Sequence, residues 1–207
     1  MIDQPRPPRA VATTPDDALR LLSEGNARYV ANQPRPRDFG AERASRALGQ
    51  APFATILSCA DSRVAPELAF DQGPGQLFVV RLAGNVVTTE VLASIEFGAA
   101  ILGTPLLVVL GHTRCGAVQA TLATLRDGTE HPGHVGALVD AIAPAIQPML
   151  EEPGDVEAEA VRANVRHVVD RLRSAPPILG DLVTQGRLGV VGGVYDLATG
   201  RVQLLSA

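Results

Sequence analysis

The sequence lacks the features that mark several protein classes. No apolar run reaches the roughly 18 residues that a membrane span needs, and the opening MIDQPRPPRAVATTPDD has no apolar stretch of the kind a secretory signal carries. A soluble, cytoplasmic protein is therefore expected. Basic residues are scattered, and the net charge is -4, so neither nucleic acid nor a membrane is an expected partner. Cysteine is scarce, with two among 207 residues, and in a reducing cytosol a structural disulfide between them is disfavoured. No G-x-G-x-x-G is present. Gly111 and Gly116 have the spacing of a phosphate loop, but Ala117 and Val118 stand where that loop needs lysine and Ser/Thr, which argues against nucleotide binding. There is no internal repeat and no low-complexity tract.

What is present is enough apolar material for a substantial core, 46% of the chain. The length suits a single domain over residues 1–207, with a loose proline-rich N-terminal arm over about residues 1–13. Thr14-Pro15-Asp16-Asp17 supplies a cap, a proline at the first helical position and acids in the first turn, so a helix is expected through about Val30. A polar connector from Asn32 to Asp38 follows. Short apolar runs at Phe53 to Ser58, Leu77 to Val80, Leu106 to Leu110 and Leu188 to Val191 read as buried parallel strands. Helical patterns lie between and after them, at Thr88 to Leu102, Ala117 to Leu125, Val135 to Leu150, Val156 to Arg173 and Ile178 to Gln185. The closing VYDLATGRVQLLS predicts two strands joined by a turn at Ala198-Thr199-Gly200. The expected fold class is α/β: a central parallel sheet flanked by helices, with an antiparallel edge strand near the C-terminus.

In such sheets ligands gather beyond the carboxyl ends of the strands. Each cysteine lies at such an end, Cys59 in CADSRV (59–64) and Cys115 in GHTRCGAV (111–118). His112 and Cys115 are three apart, which lets imidazole and thiolate converge in a turn entering a helix. Cys59, His112 and Cys115 make three soft or borderline ligands suited to zinc, and three protein ligands with one open position is a catalytic arrangement. Asp61 fills the fourth position or stands beside it. If the segment is extended, Cys59, Asp61 and Arg63 share one face, and Arg63 can hold the Asp61 carboxylate ionised and aimed. Two thiolates neutralise a zinc ion, so water there is acidified less than at a tris-imidazole site, and alkaline pH should favour activity. His131, His134 and His167 read as surface residues.

At these residues the chain resembles the β-class carbonic anhydrases. CADSRV is similar to that family's C-[SA]-D-S-R-V signature, and GHTRCGAV to its G-H-x-x-C-G signature. Phe78-Val79-Val80-Arg81-Leu82-Ala83-Gly84-Asn85 and Ser94-Ile95-Glu96-Phe97 are similar too, and the likeness runs from about Ala18 to about Tyr195. The resemblance implies reversible hydration of carbon dioxide to bicarbonate by zinc-hydroxide attack, with one zinc per chain on Cys59, His112 and Cys115 and a catalytic dyad of Asp61 and Arg63. It implies substrate contacts from Gln50, from Phe78 and from the backbone amide of Gly116. It also implies a homodimer, or a dimer of dimers, in which two chains build each site and the N-terminal helix reaches over the partner. Phe97 stands where many members carry tyrosine. Ile56 stands where a bicarbonate-inhibited subgroup carries tryptophan, and the chain has no tryptophan, so no such inhibitory site is expected. Hydrolysis of carbonyl sulfide or carbon disulfide, and a silent zinc-binding scaffold, are the alternatives.

Overall fold

The computed structural model describes residues 11–40, 43–150 and 155–206, so most of the arm expected at the N-terminus lies outside the described residues. Helix α1 (Pro15–Val30) begins as its sequence dictates: the Thr14 hydroxyl accepts from the Asp17 amide at 3.2 Å, and Pro15 takes the first position. The polar connector has no regular structure and leads to a one-turn helix, α2 (Arg43–Arg46).

Strand β1 (Ala54–Ser58) is buried at every residue, as an apolar run in the middle of a parallel sheet must be. A single turn, α3 (Pro66–Ala69), precedes β2 (Leu77–Arg81). Then come α4 (Thr89–Glu96), β3 (Leu106–His112), α5 (Gly116–Asp127), α6 (Gly136–Ile146), α7 (Val156–Arg173), α8 (Leu179–Thr184), β4 (Gly189–Tyr195) and β5 (Val202–Leu204). The sheet order is β2-β1-β3-β4-β5, parallel throughout except for the antiparallel edge pair β4–β5. Alternate residues divide the core in two. Leu57, Leu107, Val109 and Val190 face a cluster built with α4 to α8, while Ile56, Leu106, Val108 and Leu110 face Ala18 and Leu22 of α1 and Phe70 after α3.

Three expectations are corrected. The helix expected from Thr88 to Leu102 turns α-helical only to Glu96 and then widens into a π-helical turn, Phe97–Ile101, where Gly98 lies against Thr55 with no room for a Cβ. The helix expected from Val135 to Leu150 tightens at Gln147–Met149, where Pro148 cannot supply the next amide. The strand expected at Leu188 to Val191 and the first strand of the C-terminal pair are one strand, β4, running through Gly192 and Gly193; a Cβ on Gly192 would come within 2.7 Å of Val165. Helix α1 packs on the sheet through Ala18 and Leu22. There Asn26 donates to the carbonyls of Ala69 and Gly200 at 2.9 and 2.8 Å and accepts from the Val202 amide.

After β1 the chain passes to β2 on one side, and after β3 to β4 on the other. The carboxyl ends of β1 and β3 therefore flank a topological switch point, where the connecting loops diverge and leave a crevice.

Candidate metal centre

That crevice holds three of the residues singled out by spacing. Cys59 follows the last residue of β1, His112 is the last residue of β3, and Cys115 caps α5. Ser58 lies opposite Leu110 in the parallel register, so the two strand ends sit side by side despite the long stretch of chain between them. The two sulfurs and a ring nitrogen of His112 lie within 4.8 Å of one another, and all three residues are buried. His112 Nδ1 is 2.9 Å from the Thr113 carbonyl and donates to it, which leaves the Nε2 lone pair facing inward. Nε2 is fully buried and has no hydrogen-bond partner. A buried orphan acceptor aimed between two thiols is costly unless something electron-poor sits there. The donor set fits zinc.

The electrostatics agree. A hydrogen bond from Cys115 and, less strongly, the neighbouring His112 ring bring the Cys59 thiol down to about 4, while Cys115, facing the thiolate so formed in a buried site, is pushed up. Burial works against charging His112, but the Cys59 thiolate overrides it and raises the imidazole. Thiols bind a metal as thiolates, so an ion at this place would compete with protons for these groups.

Asp61 stands beside this trio, its Oδ2 at 3.8 Å from His112 Nε2. The extended segment expected for Cys59, Asp61 and Arg63 is instead a turn. Asp61 Oδ1 accepts from the Arg63 amide at 2.9 Å and the Asp61 carbonyl from the Val64 amide, the local pattern that aspartate favours. The turn brings the Arg63 side chain back, so that Nε meets Oδ1 at 2.9 Å and Nη2 meets Oδ2 at 2.7 Å. This planar fork is the main reason the carboxyl lies well below the usual range. Arg63 Nη2 also reaches the carbonyl of Arg114 at 3.3 Å, a residue that adopts the left-handed backbone, φ 55°.

Gly116 opens α5 directly after Cys115, with no heavy atom within 4 Å of a would-be Cβ. Gln50 and Phe78 are elsewhere. Gln50 precedes β1 and Phe78 is the second residue of β2, opposite Thr55, both toward the amino edge of the sheet, with β1 between them and the sulfurs. Five residues of strand span about 17 Å. Phe78 stacks on Phe97 there, ring centroids 6.0 Å apart, and Phe97 is 45% exposed. Ile56 is wholly buried in β1, and His131 is half-buried, bonded to Ala120 and Thr124 of α5. Sequence reasoning missed the backbone supports. Arg81 donates to the carbonyls of Cys59 and Asp61 at 3.2 and 2.8 Å, and its only sequence signal is a charge ending an apolar strand.

Comparison with known proteins agrees with this geometry. The family model described as Carbonic anhydrase matches residues 54–202, which include Cys59, His112 and Cys115 and the Asp61–Arg63 pair. The chain belongs to the β-class carbonic anhydrases. It is 42% identical over 193 residues to carbonic anhydrase 2 of Mycobacterium tuberculosis, covering 93% of each chain, and 41% identical to the carbonic anhydrase of Mycolicibacterium smegmatis, covering 94% and 95%. Among solved structures it resembles the tetrameric β-carbonic anhydrases of Sordaria macrospora with a TM-score of 0.72 at 25% identity, covering 93% of this chain and 98% of that one. The Coccomyxa β-carbonic anhydrase bound to acetazolamide gives 0.69 at 26% identity, covering 92% and 82%. Among the described residues no helix is long and apolar enough to cross a membrane.

Proposed function

We propose that this chain, working as a single domain, interconverts carbon dioxide and bicarbonate in the cytoplasm with one zinc ion held by Cys59, His112 and Cys115. The observation that carries the reading is the orphaned His112 Nε2 between two thiols, with a clamped carboxylate beside it. When bound, zinc supplies the Lewis acidity that turns water into a nucleophile.

The chain's own residues do the rest. Asp61 Oδ2 accepts a hydrogen bond from the attacking water or hydroxide and so turns its lone pair toward the substrate carbon. Arg63 keeps Asp61 ionised and engages both of its oxygens. For Asp61 to become a fourth ligand, the fork to Arg63 must open, so the same side chain serves turnover in one position and blocks it in the other. The Gly116 amide, among the unpaired N–H groups at the start of α5, donates to a bicarbonate oxygen.

Gln50 and Phe78 complete the pocket from a second copy. Several large apolar side chains are exposed, Phe39 at 56%, Leu48 at 55%, Leu68 at 65% and Ile101 at 69%, and a homodimer would cover such a surface. Phe78 and Phe97 then give carbon dioxide an apolar wall. Zinc analysis with stopped-flow hydration assays from pH 7 to 9 tests the proposal, carbonyl sulfide hydrolysis being measured in parallel. One zinc per chain and hydration that rises with pH are expected; zinc-loaded protein that hydrolyses only carbonyl sulfide would overturn it.

A further inference from the structure

Helix α7 buries a stripe of Ala160, Val161, Val165, Val168, Val169 and Leu172, and one polar residue interrupts it. Asn164 is 1% exposed. Asparagine is a poor helix former and an expensive group to bury, so its place on the apolar face of a long helix calls for a reason. Its Nδ2 donates to the Gly84 carbonyl at 2.9 Å. Gly84, in turn, donates its amide to the Cys59 sulfur at 3.3 Å.

Gly84 sits with φ 69°, ψ 13°, inside a tight turn, and a Cβ there would meet Ile142 at 2.7 Å and Ala117 at 3.0 Å. Only glycine fits, and a glycine has no side chain with which to hold its own orientation. Asn85 follows it, also left-handed at φ 46° and 2% exposed. We infer that Asn164 is a positioning residue for the metal centre: by gripping the Gly84 carbonyl it fixes the left-handed turn that aims the Gly84 amide at Cys59. An N–H donor behind a metal-binding sulfur holds the sulfur in place and stabilises the charge it carries, as supports behind metal ligands do. The Asp61 amide gives Cys59 a second donor at 3.4 Å that does not depend on Asn164.

The inference rests on Cys59 being a zinc ligand, and the experiment separates the two. Protein loaded with cadmium-113 is expected to show through-bond coupling from the metal to the amide protons of Gly84 and Asp61. In Asn164→Ala and Asn164→Leu, the coupling to Gly84 should disappear while that to Asp61 persists. Zinc affinity in a chelator competition should fall about ten- to hundredfold, the usual effect of removing a support behind a metal ligand. Circular dichroism of the loaded variants reports folding. The Leu variant, which continues the apolar stripe, provides a folded case if Ala does not. Coupling to Asp61 but not to Gly84 in the unmodified protein overturns the inference alone, as do folded variants with unchanged coupling and affinity. Absence of both couplings overturns the metal site beneath it.

Discussion

Asp61 has its negative charge secured by three hydrogen bonds from Arg63 and aimed at a site it does not itself complete. Asp61→Ala should therefore retain one zinc per chain, measured by metal analysis, and lose at least about a hundredfold in hydration rate, the usual scale for removing a positioned proton acceptor. Arg63→Lys should not rescue Arg63→Ala, because an ammonium cannot form the planar fork. The clustering of Cys59, His112 and Cys115 and this pair were legible in the sequence because a thiolate, an imidazole and a carboxylate at strand ends have few structural uses in combination. The turn that joins Asp61 to Arg63 was not, because a period-two face and an aspartate turn place the same two residues together.

At the scale of elements, packing overrides propensity in two places. Gly25 lies inside α1, where alanine would ordinarily be worth about 1 kcal/mol more than glycine. A Cβ there would overlap the Phe70 carbonyl, however, so Gly25→Ala should reverse the sign and cost about 3 kcal/mol in denaturant unfolding, the upper range for forced overpacking. The second place is Asp71, 1% exposed in its side chain, which joins α1 to the connector through Arg28 and Arg37, each at 2.6 Å. Burial raises its carboxyl, but the two arginines and the Arg35 amide outweigh burial, so it stays below its ordinary 3.8. A depressed acid stabilises the fold above that value and loses the contribution as pH falls through the folded value. Asp71→Ala should thus cost about 3 kcal/mol at pH 7, and the gap from the unmodified protein should narrow below about pH 4 in urea melts at stepped pH. The strands and most helices followed from apolar periodicity. The π-helical turn after α4 and the merging of two strands into β4 did not, since both depend on which side chain faces Gly98 and Gly192 across the fold.

For the whole molecule, the placement of Gln50 and Phe78 at the edge of the sheet opposite the metal centre leads to a mixing experiment. Asp61→Ala and Gln50→Ala should each be nearly inactive alone. Co-refolded in equal amounts, they should recover about a quarter of the sites, because each mixed dimer has one site with both defects and one with neither. Failure to recover activity would show that each site is built from one chain. The parallel register carries a further consequence. Ser58 must pair with Leu110 for Cys59 to face His112; a slip of one residue would move the sulfur by about 3.3 Å and point it through the opposite face of the sheet. A mis-threaded sheet would have no place to hold an ion, so metal uptake would lock in only correctly aligned chains.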